Sequence, residues 1–175
     1  MDDGALILSD YEPVGLGAEG GWQQRKSAQT RVAILDAAID CLERVGYART
    51  TTQLIAATAD ISRGAMLHHY ATKGELISAV IDFICYKRME RLAARIGALT
   101  EQERVEEHAG IEIYWQGLLS TEFTAYLELS VASRTDPELR EVFLPKAIQY
   151  DALERQQVLR VFPEWRDQPE RYALA

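Results

Sequence analysis

TQLIAATADISRGAMLHHYATKGEL, residues 52–76, holds two short helices, a tight turn and the opening of a longer helix. Thr50, Thr51 and Thr52 each offer a side-chain oxygen to the unpaired N–H groups of a helix start, and Leu54, Ile55, Ala56 and Ala59 follow as the apolar side. The chain then turns at Asp60 and Ile61. Ser62 is a good N-cap for another short helix, Arg63 to about His69, with Ala65, Met66 and Tyr70 supplying its buried side. Thr72 and Glu75 stand three apart before Leu76, Ile77, Val80, Ile81 and Ile84, a capping box that opens a long helix reaching about Ala98. Two short helices across a tight turn form a helix-turn-helix, whose second helix fits the major groove and turns its N-terminal residues toward base edges. Helical hairpins packed only for stability look similar, so the pattern alone is moderately specific.

Upstream, from about Gln29, Val32, Leu35, Ala38, Ile39, Leu42 and Val45 recur every three or four residues, one apolar helix face. Gly46 ends it, since a glycine takes a left-handed cap without steric cost. Residues 1–24 carry five glycines, Pro13 and little periodicity, which reads as a flexible arm. Downstream, Glu101 to Leu119, Thr121 to Arg134 and Pro137 to about Val161 each read as helix, with Pro137 suited to a first turn after Asp136. No segment alternates with period two long enough for a strand, so the fold class is all-α. Pro169 to Ala175 reads as the opening turn of another helix, and the natural protein is expected to extend further.

The formal net charge of −8 argues against a nucleic-acid partner when averaged over the 175 residues. Its distribution argues otherwise. Residues 1–24 carry five acids and no base, and residues 75–175 carry eighteen acids and twelve bases, whereas residues 25–74 carry seven bases and four acids. A DNA-facing module on an acidic body has this asymmetry, as does ordinary scatter of solvated charge. Cys41 and Cys85 sit at apolar helical positions without a second Cys or His at ligand spacing, which makes them buried thiols. His68 and His69 point about 100° apart on a helix with no acidic or Cys partner four residues on, so no metal is expected there. There is no signal peptide and no membrane-spanning run, so a cytoplasmic protein without a membrane partner is expected. No nucleophile with a neighbouring base, paired carboxylates or glycine-rich phosphate loop appears, so neither an enzyme nor a cofactor is expected.

The central string resembles the TetR family of bacterial regulators. The matching residues are Thr52, Ile55, Ala56, Ala59, Ile61, Ser62, Gly64, His69, Tyr70, Lys73 and Leu76, in order and without insertion, and the preceding Gly46-Tyr47 also fits. The close resemblance covers Arg25 to Leu76. Beyond it only helix count and length agree, as befits a variable sensor region. Two positions depart from the family pattern. Asp60 stands where glycine is common and tolerates left-handed backbone better than most residues. Leu67 replaces a phosphate-contacting tyrosine, and leucine donates no hydrogen bond, which leaves His68 to take that contact or lowers affinity.

The resemblance implies three domains: an arm over 1–24, a three-helix DNA-binding domain over 25–72, and a helical ligand-sensing and dimerisation domain over 73–175. It places Thr51, Thr52, Ser62, Arg63, Gly64, Ala65, Leu67, His68, His69 and Lys73 at the DNA surface. Arg63 matches the position that reaches base edges, where arginine grips guanine O6 and N7. Gly64 lets backbone approach the duplex. His69 and the hydroxyls of Thr51 or Thr52 contact phosphate, and Lys73 supplies charge. Tyr70 packs in the core, and Tyr47 serves either core or DNA. Phe83, Tyr86, Tyr114, Trp115, Phe123, Tyr126, Phe143 and Tyr150 are either pocket walls or plain core. The expected protein is a homodimeric repressor, released from a palindromic double-stranded operator by an unknown small-molecule effector. The long helix from Lys73 is its lever. The alternative is a helical small-molecule-binding protein whose N-terminal helices are structural.

Overall fold

The fold comes from a computed structural model that describes residues 21–100, 102–103, 107–161 and 166. The expected arm up to residue 20 and the expected helical turn from Pro169 to Ala175 lie outside the described residues. The elements are α1 (Trp22–Val45), a 3₁₀ turn (Tyr47–Arg49), α2 (Thr52–Thr58), α3 (Arg63–His69), α4 (Lys73–Ala98), α5 (Glu107–Leu118), α6 (Thr121–Ala132) and α7 (Pro137–Val161). Among the described residues there is no strand, and the chain is all-α.

The first helix begins at Trp22, seven residues before the expected Gln29 and inside the stretch expected as arm. Gly21 sits at its N-cap in an extended conformation, and the Gln24 side chain accepts the Gly21 N–H at 2.9 Å. The residues that follow, Gln23 to Lys26, are exposed, so the opening turns carry no apolar period. Farther along, Ile34, Ala37 and Cys41 are buried together with Leu35, Ala38, Ile39 and Leu42, whereas Val32 and Val45 sit at the margin. The buried face is wider than one stripe because α1 is covered by α2 on one side and by α4 and α6 on the other. Gly46 ends the helix as expected, with φ +75° but ψ 169°, extended rather than left-handed helical. Its N–H still caps Leu42, and a Cβ there would sit 2.7 Å from Glu128 Oε1.

Local rules set the short helices. Thr51 is the α2 cap, accepting the Leu54 N–H at 3.1 Å, while buried Thr50 donates its hydroxyl to the Gly46 carbonyl at 2.8 Å. The turn passes through Asp60 at φ +54°, a left-handed position that an Asp tolerates. Ser62 accepts the Ala65 N–H at 3.1 Å and starts α3. Only Met66 of α3 is buried, at 0% exposure, and Tyr70 packs partly against the same core. Ala65, expected inward, is exposed, because a seven-residue helix lying on one neighbour turns only a narrow strip inward. Burial of one such methionine stabilises by about 1.5–3 kcal/mol, a large share for so small an element.

Thr72 caps α4 through the Glu75 N–H at 3.1 Å, but the Glu75 carboxylate returns to the Ala71 N–H at 2.9 Å rather than to Thr72 itself. This helix buries Leu76, Ile77, Val80, Ile81, Phe83, Ile84, Cys85 and Met89, since α1, α5, α6 and α7 all pack on it. Ser120 caps α6 through the Phe123 N–H, and Asp136 accepts the Leu139 N–H at 2.9 Å at the head of α7, with Pro137 in the first turn as expected. The helix α6 ends at Ala132, two residues short of the expected Arg134. Pro145 lies inside α7 and leaves the Glu141 carbonyl without its usual donor. Lys146 ties α7 to α4 by reaching both Asp82 oxygens at 2.6 Å.

Candidate nucleic-acid interface and ligand cleft

With Met66 turned inward, α3 presents Arg63, Gly64, Ala65, Leu67 and His68 outward, all exposed. The Ser62 hydroxyl is engaged in capping and leaves the first N–H groups of the helix facing outward. A Cβ on Gly64 would find only Ser62 Oγ, at 3.9 Å, so packing within the chain does not require glycine here. Thr51 and Thr52 stand at the head of α2, Thr51 exposed and Thr52 half-buried. His69 is half-buried, and burial first, then the nearby Arg31 and His68 charges, lower its pKa below the usual histidine value. Burial therefore favours the neutral imidazole in the free protein. The His68 and His69 rings lie 5.7 Å apart at 68°, edge to face.

Behind this surface lies a junction. The exposed Lys73 places its ammonium 4.4 Å above the Tyr47 ring. The Tyr47 N–H donates to Glu128 Oε1 on α6 at 2.8 Å, and its phenol lies beside the Asp136 carboxylate. Burial, followed by the Asp136 charge, pushes the phenol up to about 12. Tyr47 thus joins the 3₁₀ turn to the body. Spacing in the sequence gave no sign of these contacts, because Glu128 lies 81 positions away.

A small cleft opens between α4, α5 and α7, with a volume of about 50 Å³. Arg88, Arg91 and Arg95 line one side, with Tyr114, Tyr150 and Glu154 among the residues opposite. Of the eight aromatics singled out in the sequence, Tyr114 and Tyr150 reach this cleft. Phe123, Tyr126 and Tyr150 surround the Arg88 guanidinium at 5.3, 5.1 and 5.1 Å. Phe143 is buried against Tyr126, buried Phe83 stacks on Tyr86, and Trp115 is 55% exposed. Arg91 donates to Glu122 at 2.9 Å, and the second Glu122 oxygen is buried without a partner. Sequence reasoning missed the arginines because it looked for aromatic walls. Their spacing on one helical face was the available signal. Both cysteines are buried, and burial pushes the Cys85 thiol up to about 12.

Residues 34–80, which include the whole helix-turn-helix, match the family model for bacterial regulatory proteins of the tetR family. The chain is 31% identical over 119 residues to the HTH-type transcriptional regulator CymR of Pseudomonas putida, covering 68% of this chain and 58% of CymR. It spans 58–66% of the length of the first curated relatives it matches. A crystal structure of the multidrug binding protein EbrR complexed with imidazole is 26% identical, with a TM-score of 0.53 over 74% of this chain and 69% of EbrR. The structure of a TetR-family member from Streptomyces coelicolor A3 shares the fold at 22% identity and a TM-score of 0.57, over 76% of this chain and 75% of that one.

Proposed function

The chain belongs to the TetR family of bacterial regulators, its helix-turn-helix lying within the residues that match, and on that premise we propose a homodimeric cytoplasmic repressor of transcription. Two copies hold their α3 helices in successive major grooves of a palindromic operator, and a small molecule in the α4–α5–α7 cleft releases them. The observation that carries this reading is the α3 surface. One buried methionine anchors the helix, while Arg63, Gly64, Ala65, Leu67 and His68 are left open among the described residues. A helix serving only stability would cover more of itself.

Both heads, the α1–α3 units ahead of the α4–α7 body, dock only when their separation is near one DNA turn, about 34–36 Å. A ligand that favours another separation lowers DNA affinity by linkage. The body grips the head through Glu128 and Asp136 at Tyr47, so α6 joins α4 as a lever. The EbrR complex supports a ligand-sensing role, since a small molecule is bound in that relative.

Selection of duplexes from a random pool tests the assignment. Arg63→Ala is expected to relax preference at one base position, at a cost of roughly 1–3 kcal/mol. Lys73→Ala should weaken binding to all sequences and flatten the salt dependence by about one unit of slope. Equal losses on selected and random DNA for both variants would contradict the roles.

A further inference from the structure

On the reading that the helices behind the head sense a small molecule, we propose that the α4–α5–α7 cleft selects a small organic carboxylate held by Arg88, Arg91 and Arg95. These residues stand at positions i, i+3 and i+7 of one helix, which gathers three guanidinium groups on a single face. Each carries five N–H donors in a planar fork that matches a carboxylate. Few of those donors are in use among the described residues. Arg91 gives one to Glu122 and Arg95 gives one to the Ile113 carbonyl at 3.3 Å. Arg88 is held by three ring faces, which stabilise its charge without accepting its strong hydrogen bonds.

The charge balance favours an anion. Residues 75–175 are acidic in sum, yet the cleft sets three arginines against Glu154, the only carboxyl among the described residues that line it. Burial raises the pKa of Glu154, weakening it as a counter-ion, although the Arg88 charge partly offsets this. A cationic ligand would meet three like charges, and a neutral one would leave their donors poorly matched. Arg91 already binds a carboxylate in Glu122, which shows the mode of recognition. Leu92, Ile113 and Leu118 supply apolar wall, and the volume of about 50 Å³, well under the roughly 150 Å³ that encloses a benzene ring, seats the carboxylate end while a short chain or single ring lies at the mouth. A carboxylate arriving here shares Arg91 with Glu122 in the first turn of α6, the helix whose Glu128 grips Tyr47. Ligand charge at the cleft is thereby felt at the head.

The test titrates the full chain with hexanoate and benzoate, with hexanamide and benzamide as uncharged counterparts and sodium chloride as the ionic control. Melting temperature and intrinsic fluorescence are the readouts. The carboxylates should raise Tm saturably, while the amides and chloride at equal concentration do not. Arg88→Gln and Arg95→Gln should each weaken carboxylate binding roughly ten- to a hundredfold, the effect of losing a charged hydrogen bond. Arg95→Gln, half-exposed at the rim, serves should Arg88→Gln fail to fold. Amides binding as well as carboxylates, Arg95→Gln retaining full affinity, or no carboxylate response would each overturn the proposal. Low-salt duplex binding by the same preparation separates the two readings. Duplex binding without carboxylate binding sinks this inference alone, and the reverse sinks only the regulator assignment.

Discussion

In the head, the caps of α2 and α3 come from three residues away: Thr51 accepts the Leu54 N–H and Ser62 the Ala65 N–H. In the body and at its junction with the head, the polar contacts that fix the helices span far longer separations: Arg91 to Glu122 across 31 positions, Asp82 to Lys146 across 64 and Tyr47 to Glu128 across 81. Helix starts obey the same local rule in both regions, for Ser120 caps α6 just as Ser62 caps α3. The difference lies in what holds finished helices together. Near-neighbour caps fix the ends of the short helices, whereas distant contacts set how the helices sit on one another and tie Tyr47 to α6. That division is what the proposed ligand response needs, with local caps keeping α3 intact while contacts between helices change.

The largest effect expected from breaking this division is at Met66. Met66→Ala removes the one buried side chain of α3 and should cost roughly 2–5 kcal/mol, read from urea denaturation, with loss of duplex binding. Unchanged stability would mean that α3 does not depend on its anchor. Next comes Arg91→Ala, which strands the nearly buried Glu122 carboxylate. A fully buried pair would lose more, but Arg91 is half-exposed, so about 2 kcal/mol is expected. Arg91→Met with Glu122→Leu should recover most of it, since replacing both partners removes the stranded charge.

Capping sharpens the comparison from the other side. Ser62→Ala and Ser120→Ala should each cost about 1 kcal/mol, because the same bond is lost in head and body. A difference of several-fold between them would show that context, not local geometry, sets cap strength here. The smallest effect concerns His69. Its folded-state pKa lies below the usual histidine value, so the neutral form is favoured by folding. The resulting stability is full above about pH 6.5 and is lost as pH falls through the lowered folded-state value. Melting curves of the wild type should therefore drop slightly more below pH 6.5 than those of His69→Gln.

The same division explains what could be read in advance. The helix order, the Ser62 and Thr72 caps, the Asp60 turn and Pro137 in the first turn of α7 are all written in residues three or four apart. The start of α1 was legible only from the capping pair Gly21 and Gln24, because its first turns face water and carry no apolar rhythm. The outward side of Ala65 was missed because seven residues are too few for a stripe to define a face. Glu122, Glu128 and the ring cage around Arg88 depend on how helices cross, which no period in one helix encodes. Aromatic residues were the sequence's candidates for pocket walls, whereas the cleft is lined by Arg88, Arg91 and Arg95 with only Tyr114 and Tyr150 of those eight.

Binding of a pool-selected duplex, followed by fluorescence anisotropy at low ionic strength, is the most direct test of the α3 surface. The comparison is between Ala65→Glu, on the outer face of α3, and Leu127→Glu, at an exposed position on α6. A glutamate three residues after the Ser62 cap favours the helix, so folding is retained, yet it places a negative charge against the phosphates. The account predicts that Ala65→Glu abolishes binding and Leu127→Glu leaves it unchanged. Equal affinities for the two variants, or a wild-type chain that ignores every duplex, would contradict it.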